Sequence, residues 1–385
     1  MKTPFFLFIV LLASVAGFSQ KKKGPANAIA NYTVSLDSIT WKCAPGKAEF
    51  FEKDGQKFMK LKADNQGPVV LRNAVFKDGT IEYDFEPYSP MSIGSSPCVY
   101  FRGDADRKDV EIFYIRARPN QPFLNDAIQY TPILNNVNMW DMYPEYQAPT
   151  LFQVDKINHL KMVVSGEQMR VYINEMRWPA LEIPKLEGNL KEGILGIDGQ
   201  VIVSNFIYKP GVTEGLTSTA APDPTGHDAN YLRNWKITPL ADLPAGTDVT
   251  VTSIPKPESF TESIMAERKG MISLSRKFGG GSVVPRRVVW LKTTIKSAEA
   301  QKNILNLGFS DDVWVFVNGQ MVYLDRNDFR QPPMRKYPDG RISIQNARFN
   351  INLKQGDNEI VVAVANDFYG WGLIARLEYM EGISY

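Results

Sequence analysis

Thr80-Ile81-Glu82-Tyr83-Asp84-Phe85-Glu86 alternates apolar and charged side chains without a break. In an extended chain successive side chains point to opposite faces. Ile81, Tyr83 and Phe85 therefore share one face, and Glu82, Asp84 and Glu86 share the other. Such a strand has one buried side and one wet side. The same texture recurs outward from it. Val110-Glu111-Ile112-Phe113-Tyr114-Ile115 reads as a second strand. Leu160-Lys161-Met162-Val163-Val164 and Arg170-Val171-Tyr172-Ile173 flank the turn Ser165-Gly166-Glu167. Gly193-Ile194-Leu195-Gly196-Ile197 and Val201-Ile202-Val203-Ser204-Asn205-Phe206 close the region. No ten-residue stretch here carries a helical period with caps. Short strands at this spacing predict a β-sandwich over residues 31–209.

Residues 210–229 read as a linker, with Pro210, Pro222 and Pro224 among Gly, Ser and Thr. His227 falls there and reads as solvated. From 230 to 385 the strand texture returns. Val313-Trp314-Val315-Phe316-Val317 runs into Asn318-Gly319, the strongest short hairpin signal, because a type I′ turn needs positive φ twice. Residues 258–269 read as the one short helix of this half, and Met271-Ile272-Ser273-Leu274 as a strand. The predicted class is all-β: two antiparallel β-sandwich (jelly-roll) domains in tandem.

The chain has 385 residues, 44% hydrophobic and 22% charged, which is a globular composition. Lys plus Arg is 44 against 42 for Asp plus Glu, so there is no basic footprint for nucleic acid. Two histidines and two cysteines nearly exclude a Cys/His structural zinc site, which would have to use all four. Lys2, the apolar run from Phe5 to Val15, and Ala16-Gly17-Phe18-Ser19 predict a cleaved leader over 1–19, followed by a flexible tail over 20–30. The run is shorter than the roughly 20 residues that span a bilayer. The expectation is a secreted or periplasmic protein, free of the membrane once the leader is removed. Export permits a Cys43–Cys98 disulfide; two free buried thiols are the alternative.

Several constellations carry candidate chemistry. Trp140, Tyr143 and Tyr146 cluster in a loop with Asp141 and Glu145. Flat aromatic faces with interleaved carboxylates suit sugar recognition, and packing onto the domain edge is the plain alternative. Arg102, Glu111, Arg116 and Tyr130 lie on neighbouring strands or their ends, and fit either a ligand cleft or a cross-strand ion network. Asp367, Tyr369 and Trp371 fit either a sugar platform or, for Trp371, a plug of the sandwich end. Asp311-Asp312 could supply calcium with oxygens, but two acids fall short of the six to eight it takes, and a turn role fits as well. No other metal or cofactor is implied. Gly279-Gly280-Gly281-Ser282 lacks the Lys-Ser/Thr of a phosphate loop. Arg330, Arg335, Lys336 and Arg341 sit in one loop, either facing an acidic glycan or solvated. His159 has no nucleophile motif beside it and reads as structural.

The first region resembles the concanavalin A-like lectin/glucanase superfamily in its laminin-G-like form. The residues are Phe76-Lys77-Asp78-Gly79-Thr80-Ile81-Glu82, Val99-Tyr100-Phe101-Arg102, Phe113-Tyr114-Ile115-Arg116, Ile128-Gln129-Tyr130-Thr131-Pro132 and Val171-Tyr172-Ile173-Asn174. It also looks like domains of the keto-disaccharide hydrolase-like group. The second region looks like a galactose-binding-like jelly roll, through Val315-Phe316-Val317-Asn318-Gly319 and Phe368-Tyr369-Gly370-Trp371-Gly372. The resemblance implies an exported protein that binds a poly- or oligosaccharide through a concave sheet face and loop aromatics. Glu82-x-Asp84-x-Glu86 has the spacing of retaining β-glucanases, so the second expectation is a glycoside hydrolase. Glu82 and Glu86 would be the carboxyl pair, and Asp84 would hold the nucleophile. A non-catalytic scaffold for a protein partner is the third.

Overall fold

The computed structural model describes residues 32–64, 66–116, 124–281 and 286–385, apart from the side chain of Ile93. The expected leader and tail, and Ser282, lie outside them. Four antiparallel sheets form two sandwiches. In the first, a seven-stranded sheet runs Leu181–Ile183, Gln168–Ile173, Asn158–Ser165, Gly79–Pro87, Val201–Pro210, Gln56–Leu61, Ala48–Lys53. The strand quoted at the outset is its centre. It pairs through Glu82↔Lys161 on one side and Glu86↔Ile202 on the other. Ile81, Tyr83 and Phe85 are buried against the opposing sheet, as the alternation requires. That sheet runs Trp41–Lys42, Val69–Leu71, Ile194–Asp198, Cys98–Gly103, Val110–Ile115, Ile128–Leu134, Gln147–Ala148.

The second sandwich places Arg286–Ser297 and Gly356–Asn366 at the centre of a sheet that faces four strands, Met271–Ser273, Gly372–Leu377, Gln301–Ser310 and Ala347–Leu353. Asn318 and Gly319 both have positive φ, 50° and 77°, and join Asp312–Val317 to Gln320–Arg326 by the expected two-residue turn.

One expectation is corrected, and one open alternative is decided. Residues 258–269 are not a helix. They form a 3₁₀ turn at Pro257–Ser259, the edge strand Glu262–Met265 and a second turn at Arg268–Gly270. The strand Asn234–Ile237 offers an open ladder there, and pairing with it outweighs local propensity. Among the described residues the one α-helix is Leu274–Phe278, capped by Ser273. Of the two alternatives left open for the cysteines, the structure has the free thiols Cys43 and Cys98 rather than the disulfide. Cys43 follows the strand Trp41–Lys42, which lies three places from Cys98–Gly103 in the sheet, about 14 Å at ~4.8 Å per strand. Cys43 packs on the core between the sheets, while Cys98 packs on the outer face with Tyr100. No disulfide spans that separation.

The chain from Thr33 to Tyr385 forms one compact unit. The linker is pinned along the first sandwich: Leu216 is buried beside Val163 and Tyr172, and Glu167 N donates to Ser218 O at 2.8 Å. The core of the first sandwich also takes in Tyr231, Met271, Ile342 and Ile374 from the second half. Phe85 lies at the middle of the shared core, so Phe85→Ala should cost about 3–5 kcal/mol of stability, read from urea unfolding midpoints.

Candidate functional site

The outer face of the sheet that holds Cys98–Gly103 and Val110–Ile115 is not polar. Cys98, Tyr100, Ile112 and Tyr114 point outward between the core residues Val99, Phe101 and Phe113. An apolar face on both sides of a strand must be covered. Three segments cover it: Trp140 from the first half, Phe329 from the segment after Gln320–Arg326, and Phe368 with Tyr369 from the turn after Gly356–Asn366. The result is a groove of about 350 Å³, lined also by Ser96, Arg116 and Asn138.

Each wall has a visible support. The Trp140 backbone is clamped at both ends, its N donating to Asn138 Oδ1 at 3.1 Å and its O accepting from Gln129 Nε2 at 2.7 Å. Its ring meets Phe329 edge-to-face at 4.7 Å and Tyr369 at 5.9 Å. Arg116 donates to the Tyr114 hydroxyl at 3.2 Å and to Gln129, and pairs with Asp126 at 3.3 Å. Phe368 and Tyr369 are held by two buried carboxyls. Asp311 accepts from Asp367 N at 2.5 Å and Phe368 N at 2.7 Å, and Asp141 accepts from Gly370 N at 3.2 Å. Position 370 has no room for a side chain: a Cβ would sit 2.4 Å from Met142 Cγ and 2.7 Å from Asp141 Oδ1. Burial, with the nearby Asp311 charge, pushes the Asp141 carboxyl well above its usual range. Burial pushes Asp311 up to about 8.

Of the residues singled out in the sequence, Arg116, Trp140 and Tyr369 line the groove, and Asp367 sits beside it, paired with Arg330 at 2.5 Å. The others are elsewhere. Arg102 is a buried staple, donating to Lys77 O, Gly166 O and Asp78 Oδ1. Glu111 and Tyr130 form a buried pair, the hydroxyl donating to Glu111 Oε2 at 2.5 Å. Tyr143 and Tyr146 stack on each other on the far side of the loop. Trp371 is buried in the second core and donates to Gly279 O. None of these reaches the groove. Tyr100, Ile112, Tyr114, Asn138, Phe329 and Phe368 escaped the sequence reading. The signal for the strand members was available, since Cys98-Val99-Tyr100-Phe101 is apolar at both parities.

Glu82, Asp84 and Glu86 lie on the opposite side of the sandwich, facing away from the core. His159 bridges the first two, Nε2 to Glu82 at 3.1 Å and Nδ1 to Asp84 at 2.6 Å. Asn205 donates to Asp84 at 2.6 Å, and Lys209 to Glu82 at 3.2 Å. Burial raises the Glu82 carboxyl, but the hydrogen bonds from Lys209 and His159 outweigh it and hold it below its usual value. Glu82 and Asp84 thus belong to a hydrogen-bonded ion ladder. Asp312 lies between Arg286 and Arg326, and Asp311 serves backbone amides, so neither turns its oxygens to a shared point. Among the described residues no cluster of three or more His, Cys, Asp or Glu is placed to hold a metal. Arg330, Arg335, Lys336 and Arg341 are each ion-paired, with Asp367, Asp339, Asp325 and Asp126.

No protein-family model matches the chain. No curated protein matches it. Solved structures similar to it include the carbohydrate-binding module CBM66 from Bacillus subtilis, at 17% identity and a TM-score of 0.34, over 44% of this chain and 95% of that one. The galectin LEC-6 of Caenorhabditis elegans is 14% identical, with a TM-score of 0.28, over 44% and 99%. The β-glucanase of Bacillus licheniformis is 9% identical, with a TM-score of 0.30, over 48% and 94%.

The buried pair yields a prediction. Burial pushes the Glu111 carboxyl up to about 7, from an ordinary value of 4.5. Between those values the folded state keeps a proton that the unfolded chain has released, so Glu111 makes stability fall as pH rises through that window. Glu111→Gln should remove this slope. The stability difference, wild type minus variant, should shrink from pH 4.5 to pH 7.5 in urea titrations.

Proposed function

We propose that the protein binds a saccharide in this groove without cleaving it. The observation that carries the reading is the lining. Six of its residues are aromatic: Tyr100, Tyr114, Trp140, Phe329, Phe368 and Tyr369. Rings of this kind stack on the apolar C–H faces of sugars, while Arg116, Asn138 and the tyrosine hydroxyls can meet sugar hydroxyls. The volume lies within the roughly 300–1,000 Å³ of small-ligand sites. Glycoside hydrolysis needs a pair of carboxyls flanking the bond, about 5–10 Å apart. No carboxylate is among the lining residues. Glu82 and Asp84, on the other side of the sandwich, are tied to His159, Lys209 and Asn205. These features support binding over catalysis. We read the protein as exported, on the strength of the leader-like residues 1–19, so its partner is a glycan met outside the cytoplasm.

Affinity electrophoresis across a polysaccharide panel, followed by calorimetric titration on the best glycan, tests this. Tyr100→Ala and Tyr369→Ala should each weaken binding about 2- to 10-fold, the worth of one aromatic contact. Glu86→Gln should leave binding unchanged, and no sugar ends should be released. Release of sugar ends, lost in Glu86→Gln, would establish the hydrolase instead.

A further inference from the structure

A second cavity, of about 540 Å³, lies where the two sandwiches meet. The loop that carries Trp140 divides it from the groove: Trp140 faces one, while Met142, Tyr143 and Glu145 line the other. Its floor is apolar, with Met142, Met271, Ile342 and Ile374 buried. Tyr337, 71% exposed, offers a free ring at the lining.

The charged residues of this lining are the carboxylates Glu145, Glu187 and Glu267 and the cations Arg268 and Lys269, and Arg276 and Lys185 reach two of the carboxylates from outside it. Each carboxylate already has a cation: Glu145 pairs with Lys269 at 2.9 Å, Glu267 with Arg276 at 2.7 Å, and Glu187 with Lys185 at 3.1 Å. Arg268 is left over. Among the described residues it has no carboxylate partner. Its Nη1 is fixed by two backbone carbonyls, donating to Ala221 O at 2.7 Å and Pro222 O at 2.8 Å. Its Nε is buried and has no hydrogen-bond partner, and its Nη2 donates to no described residue. Nε and Nη2 form the edge of a guanidinium that grips a carboxylate with two parallel bonds. The linker therefore holds Arg268 in place with its carboxylate-binding edge unspent.

We infer that this seam cavity is a second ligand site, which takes an acidic saccharide by setting the sugar's carboxylate on the Nε/Nη2 edge of Arg268 and its ring against Tyr337. Gln147 and Gln345 supply amides for the hydroxyls, and Gln147 Oε1 is likewise buried without a partner. The carboxylate half stands on Arg268 alone. The saccharide half rests on the groove reading.

The test is calorimetric titration of the full chain with a glucuronic acid trisaccharide and with its carboxyl-reduced, neutral counterpart. The acidic sugar should bind about 10-fold more tightly, the worth of one charge-assisted contact. That preference should fade in 0.5 M NaCl. Arg268→Gln should abolish it, and Arg268→Lys, which keeps the charge but not the fork, should restore only part. If Arg268→Gln does not fold, Tyr337→Ala, on the surface, should weaken the acidic sugar and spare the neutral one. Equal affinity for the two sugars, or a preference that survives Arg268→Gln, overturns the inference. Acetate competing as well as the trisaccharide overturns its saccharide half. Tyr369→Ala separates the sites. If it changes nothing while Arg268→Gln removes acidic binding, the groove reading falls and the seam site stands.

Discussion

The junction of the two sandwiches turns on a carboxyl group that water does not reach. Asp141 is 2% exposed. Its side chain accepts from Gly370 N, and its backbone carbonyl accepts from Ile342 N at 3.0 Å. Both donors belong to the second half of the chain. A buried carboxyl without partners would be costly, so the residue is tolerable only while those segments are docked on it. Its neighbours on either side, Trp140 and Met142, line the two cavities. Loss of this tie would leave the turn that carries Phe368 and Tyr369 with only one of its two buried carboxyls, Asp311, and loosen the wall between groove and seam.

The rings of the groove are braced from behind. Arg341 lies 5.1 Å from the Trp140 centroid, Arg330 lies 4.9 Å from Phe368 and Arg335 lies 4.0 Å from Phe329. Each guanidinium is in turn held by an aspartate. Cation–π contact adds a modest attraction to each pair. It also helps to fix the orientation of the rings. The basic loop, which the sequence left as either a face for an acidic glycan or a solvated segment, is this scaffold, with its charges paired internally.

Much of the architecture was legible in the sequence because it rests on local pattern. The period of two at 80–86 gave the central strand and its buried face, and Asn318-Gly319 gave the hairpin and its register. The groove was legible only in fragments. Trp140 and Tyr369 stood out as aromatics in loops, and Arg116 as a polar residue at a strand end. Arg102 and Glu111 had the same polar look, yet the fold buries them in hydrogen bonds. Phe329 carries no local signal, and Phe368 stood only within a fold motif, since the role of both depends on which distant sheet they fall upon. Residues 258–269 failed for a related reason. A neighbouring strand with an open edge decided their conformation, and no window within that segment contains it.

The groove also constrains how such a chain can change over generations. Its floor comes from residues 98–116 and much of its wall from residues 329–369, with the pinned linker between them. A recombination event cutting at that linker would part floor from wall and leave neither sandwich with the whole groove. The two sandwiches look like exchangeable modules when strands are counted, but the groove is passed on only when both are.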